Sequence, residues 1–113
     1  MPLVRYRNAP GLWSPEQVAA WKRIVSKVHA RGGYIFAQLR TDGRAADPDF
    51  IRSKGYPFVA PSDVPIADGG PKPEPMSKQQ IESYVKSYAQ AARNAVDGAG
   101  FDGVEVCSRS SLD

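Results

Sequence analysis

Two short segments constrain the fold most. Tyr34-Ile35-Phe36-Ala37-Gln38-Leu39 is apolar at odd and even positions alike, and Phe101 to Cys107 reads as a turn followed by a second strand. A strand apolar on both alternating faces is expected to be buried on both sides, as in a parallel sheet covered by helices. A long helix lies between the two segments, so they are expected to run parallel, joined by a right-handed crossover. Two such strands need neighbours, and the rest of the sequence offers none. The pattern predicts a slice of a larger α/β fold, read in the order helix, strand, long loop, helix, strand.

Both helices carry local start signals. Ser14 supplies a capping hydroxyl, Pro15 occupies the first helical position, Glu16 favours the positive end of the dipole, and Gln17 completes a capping box. Trp13 and Val18 stand where a hydrophobic staple closes over the cap. Val18, Trp21, Val25 and Val28, widened by Ile24, recur at helical spacing until Gly32-Gly33 ends the helix. The second helix repeats this grammar with Ser77, Gln80, Met76 and Ile81. Its apolar face of Ile81, Tyr84, Val85, Tyr88, Ala92, Ala95 and Val96 predicts a helix through Asp97, broken by Gly98-Ala99-Gly100. Seven of the ten prolines fall within residues 40–76. Proline removes donors and fixes φ, so this stretch is expected to be an excursion loop, with one short helical turn at Asp47 to Arg52.

Composition narrows the chemistry. One histidine, His29, and one cysteine, Cys107, cannot make the usual zinc cage, so no metal site is expected. A single cysteine excludes an internal disulfide and fits a reducing, cytoplasmic setting. No apolar run is long enough for a membrane span, and none near Met1 reads as a signal peptide. The net charge of +3 is concentrated in residues 1–39, where six Lys/Arg face one acid, Glu16. No stacking aromatics alternate with those cations, so they are read as a solvated helix face and not as a nucleic-acid surface.

Several strings, in order, resemble the Old Yellow Enzyme family of FMN-dependent NADPH dehydrogenases, or ene-reductases. They are Tyr6-Arg7-Asn8-Ala9-Pro10-Gly11-Leu12-Trp13-Ser14, Gly32 to Leu39, Gly43-Arg44-Ala45-Ala46, Val59-Ala60-Pro61-Ser62-Asp63, Ala91 to Ala95, and Ala99 to Val106. The resemblance runs from about Tyr6 to Val106 and is greatest to fungal members, some of which work in secondary metabolism. It implies a (β/α)8 barrel with FMN at the C-terminal ends of the strands. Residues 1–113 would form one partial barrel segment, from the loop after the second strand to the end of the fourth. It implies NADPH as reductant and small enone or enal substrates, whose activated C=C bond is reduced.

The resemblance also implies site residues. Gln38 matches the glutamine that bonds the flavin pyrimidine edge, and a carboxamide offers the donor and acceptor such an edge needs. A bond to a neighbouring loop backbone is the other role open to Gln38. Tyr6 matches an aromatic on the substrate-side loop, and a tyrosine covering the barrel rim is its alternative. Arg40 stands where the family usually has tryptophan. The family's fourth strand ends in His-x-x-Asn-Gly-Tyr, and here those positions hold Cys107, Ser110 and Leu112 in a divergent tail, residues 107–113. No catalytic residue of that set is intact: leucine gives no proton, and a thiol and a hydroxyl donate weakly. A shifted reading frame or mis-spliced exon would explain so abrupt a switch. The chain is thus expected to be a truncated relative, inactive alone. The alternative is a non-catalytic fragment that pairs with another barrel chain through exposed strand edges.

Overall fold

A computed structural model describes residues 8–107. Its contacts divide into two compact units, one built from Pro10–Leu39 with Tyr84–Val106, the other chiefly from Arg40–Ser83.

The first unit opens with α1 (Pro15–His29). Ser14 Oγ accepts from Gln17 N at 3.2 Å, while Gln17 Oε1 accepts from Ser14 N and Trp13 N at 3.0 Å each. The helix ends as its glycines require. Gly32 adopts a left-handed φ of 74°, and Gly33 N bonds Val28 O at 3.1 Å. Strand β1 (Phe36–Leu39) follows. It pairs in parallel with a strand, Gly103–Val106, at the far end of the unit, with Phe36 opposite Gly103 and Leu39 opposite Val106. Val25, Ala37, Leu39, Ala95, Ala99 and Phe101 form the buried core, flanked by Val18, Trp21 and Tyr88. Trp21 packs its ring against Phe101 with centroids 5.7 Å apart and donates to Gly11 O at 3.0 Å.

The second unit is more ordered than a proline-rich loop was expected to be. Gly43–Ala45 forms a 3₁₀ turn, and the expected helical turn is α2 (Pro48–Ser53), capped by Asp47, whose carboxylate accepts from Asp49 N and Phe50 N. Two further strands, β2 (Val59–Ala60) and β3 (Glu74–Pro75), pair in parallel. Among the described residues the expectation of two strands is thus corrected to four, in two separate two-stranded sheets. Pro75 does not break the second pair, because the donors on its strand are its neighbours: Glu74 N bonds Phe58 O at 3.0 Å and Met76 N bonds Ala60 O at 2.9 Å. Ile51, Phe58, Val59 and Ala60 are buried here.

The long helix α3 (Lys78–Arg93) starts on the expected box: Ser77 N donates to Gln80 Oε1 at 2.8 Å and Gln80 N to Ser77 Oγ at 3.2 Å. It does not run on as α-helix to Asp97. A wider π turn takes over at Asn94–Ala99, closed by Gly100 at φ 83°. Two contacts with the start of the chain accompany the switch. Asn94 Nδ2 donates to Leu12 O at 2.9 Å, and a Cβ at Gly98 would lie 2.8 Å from Val18 Cγ1. The last strand is β4 (Gly103–Val106).

The double burial expected of the strands is also corrected. Ala37 and Leu39 face the core, but Phe36 is 63% exposed and Gln38 is exposed beside it; Val106 is 56% exposed. Among the described residues no element covers the face that carries Phe36. Likewise Ile81, Val85 and Val96 of the expected apolar stripe stay exposed, while Tyr88, Ala91, Ala92 and Ala95 reach the core.

Candidate functional site

The open face of the β1–β4 sheet is the candidate site. Strand alternation places Phe36 and Gln38 of β1 and Gly103 and Glu105 of β4 on one side. The Phe36 ring lies across Gly103, a residue without a side chain: a Cβ there would meet Phe36 Cε1 at 2.5 Å, so any larger residue would push the exposed ring aside. Next along the strands, Gln38 and Glu105 stand opposite each other, and Gln38 Nε2 donates to Glu105 Oε2 at 3.1 Å.

The N-terminal ends of the two strands are tied by Asp102. Its Oδ2 accepts from Ile35 N at 2.8 Å and lies 2.8 Å from His29 Nε2, while Asp102 N donates to Ile35 O at 3.0 Å. The His29 hydrogen bond, with the Ile35 amide second, holds the Asp102 carboxyl below the ordinary aspartate range. The C-terminal ends carry the polar groups. Arg40 follows β1 directly and places Nη2 2.5 Å from Oδ1 of Asp42, a carboxylate only 4% exposed. Cys107 follows β4 directly and is half-buried. Tyr6, Ser110 and Leu112 lie outside the described residues.

The structure therefore places Gln38 on the open face and brings to it a residue that sequence reasoning did not single out, Glu105. The parallel register was the signal for it: Gln38 and Glu105 each stand one residue before the end of their strand. No backbone of a neighbouring loop bonds Gln38 among the described residues. One amide hydrogen is held by Glu105, and the exposed side chain has a second N–H and a carbonyl oxygen besides. That donor–acceptor pair fits the edge of a flavin pyrimidine, which presents a carbonyl next to an N–H. It is one contact, and the described residues include no phosphate cradle beside it. No helix among them is long and apolar enough to cross a membrane.

Residues 4–111 match the family model described as the NADH:flavin oxidoreductase / NADH oxidase family. Over 101 residues the chain is 52% identical to the NADP-dependent oxidoreductase lnbE of Aspergillus flavus. It is 48% identical to a Claviceps fusiformis protein named "Probable inactive dehydrogenase easA". Each alignment covers 89% of this chain and 26% of the relative, so the chain spans about a quarter of the length of these curated relatives. The crystal structure of Old Yellow Enzyme from Pichia sp. superposes with a TM-score of 0.85 at 41% identity, over 92% of this chain and 29% of that one. The fold is accordingly part of a (β/α)8 barrel, with β1 and β4 as neighbouring parallel staves.

Proposed function

The chain belongs to the NADH:flavin oxidoreductase / NADH oxidase family, and on that premise we propose that it forms the third- and fourth-strand sector of an FMN-dependent NADPH:alkene oxidoreductase. In that barrel Gln38 holds the pyrimidine edge of FMN at the inner face of the sheet. Bound there, the flavin supplies the hydride chemistry that no side chain of this sector can perform. The sector's own part is to bind and orient.

The observation that carries the reading is the open face itself. It exposes an apolar ring, Phe36, together with a half-committed carboxamide, Gln38, on one stave of a barrel, with Gly103 and Glu105 beside them on the next. Such barrels place their chemistry at the C-terminal ends of the strands, and β1 ends one residue beyond Gln38. Activated alkenes, enones or enals, are the substrate class of the resemblance, and Tyr6 is assigned to their side of the site. The proton-donor and carbonyl-binding positions hold Leu112, Cys107 and Ser110 in this chain, so the sector alone neither activates nor protonates such a substrate. A relative 48% identical is itself named "Probable inactive dehydrogenase easA", which supports the same conclusion.

One flavin contact gives the chain a weak, measurable affinity for FMN and no catalysis. Titrating the full chain into FMN, with flavin fluorescence as readout and NADPH oxidation with an enone as activity assay, tests this. Weak quenching that Gln38→Ala abolishes, without turnover, is the expected result. Turnover by the chain alone, or quenching indifferent to Gln38→Ala, overturns it. The exposed apolar face favours one second reading, a non-catalytic segment that pairs with another barrel chain. Self-association or capture of a barrel partner without any flavin in the complex would favour that reading over the first.

A further inference from the structure

We propose that Glu105 is a positioning residue for Gln38: its carboxylate decides which end of the carboxamide is held by the protein and which atoms are offered to a ligand. The inference rests on the flavin reading of Gln38 and deepens it. The two residues are register partners on neighbouring parallel strands, on the same face of the sheet. Gln38 Nε2 lies 3.1 Å from Glu105 Oε2.

An ionised carboxylate only accepts hydrogen bonds, so it can face the NH2 end of a carboxamide and not its oxygen. The contact therefore does more than join two strands. It excludes the flipped amide, which would turn Oε1 toward the carboxylate and repel it. With Nε2 fixed against Glu105, the second N–H and Oε1 become the atoms presented outward. A ligand edge carrying one carbonyl and one N–H is then met by the complementary pair in a set order. Without Glu105 the side chain samples two flips and several staggered rotamers, of which one is competent. Counting those states, removal of Glu105 weakens binding at this edge roughly fivefold. In the open sheet the bond is solvated and adds little to stability, so the sheet persists in the Glu105 variants.

The test uses the full chain labelled with 15N, with FMN itself as the probe. The side-chain amide protons of Gln38 report the bond, and the Ile35 backbone amide, held by Asp102 at the other end of the strands, reports that the sheet is intact. We expect one Gln38 amide proton shifted downfield in the wild type and in Glu105→Gln, which keeps an acceptor oxygen. The shift is lost in Glu105→Ala. We expect added FMN to move the Gln38 amide in all three proteins, with roughly fivefold weaker affinity in Glu105→Ala and recovery in Glu105→Gln. A Gln38 amide unchanged by Glu105→Ala, with Ile35 intact, overturns the proposal whatever FMN does. Equal FMN affinity in wild type and Glu105→Ala also overturns it while leaving the flavin reading in place. If FMN moves the Gln38 amide in none of them, the flavin reading fails and the proposal falls with it.

Discussion

Truncating two phenylalanines of the same unit to alanine gives very different expected costs. Phe101 is 5% exposed and packs its ring on Trp21 at a centroid distance of 5.7 Å. Emptying such a site costs about 3–5 kcal/mol, the sum of lost transfer energy and the cavity left behind. Phe36 is 63% exposed, with part of its ring laid over Gly103. Burying a whole phenylalanine side chain contributes roughly 1.5–3 kcal/mol, so the third that is buried contributes about 0.5–1 kcal/mol. Urea titrations of the full chain, read as midpoint shifts at constant slope, should separate the variants by about 2–4 kcal/mol. The separation should hold across protein concentration. Equal costs would refute the reasoning, because Phe36 would then be buried in solution by something that covers the sheet. A Phe36→Ala cost that grows with concentration would identify that cover as a second copy.

Three further outcomes follow from local geometry. Gly100→Ala should cost about 1–2 kcal/mol in the same titration, since φ is 83° and the added methyl would meet Val25 Cγ1 only at an ordinary 3.8 Å; a neutral result would contradict a left-handed cap. Ser14→Ala and Ser77→Ala each remove one capping hydroxyl from a complete box, and each should lower stability by about 1 kcal/mol; loss of helical circular dichroism on mild heating should begin earlier in both. Asp102 has a folded pKa below its unfolded value, so it contributes stability above about pH 4 that is lost as pH falls through the folded value. Asp102→Asn should therefore be less stable than wild type at neutral pH and converge with it in acid, and a gap that widens in acid would reverse the sign.

What the sequence made legible was local. The capping boxes at Ser14 and Ser77 need only four residues in a row, and both formed as expected. The parallel pairing of β1 and β4 was legible because periodicity marks a strand and a helical crossover fixes its direction. The β2–β3 pair was not. Two residues a side leave no periodicity, and Pro75 reads as a breaker until the bonds through Glu74 and Met76 show that its missing donor is not needed. The change from α3 to a π turn at Asn94 comes where the helix meets Leu12 and Val18, distant in sequence, a setting that no local propensity encodes. The candidate site was half legible. Gln38 stands out as a carboxamide in an apolar strand, whereas Glu105 gains meaning only from register. The pin at Asp102 read as a turn residue, because its partners His29 and Ile35 come from another part of the chain. Apolar residues on both strand faces signalled burial that the described residues do not provide, and that mismatch points to a larger barrel.

The most direct measurement of the central claim is complementation. Aspergillus flavus lnbE would be expressed without the quarter of its length that matches this chain, then mixed with the chain and FMN and sized. The account predicts a one-to-one complex that carries flavin, with Phe36 protected from solvent, while neither piece retains flavin by itself. A chain that remains a separate folded monomer in the mixture, or that carries FMN at full occupancy unaided, would contradict it.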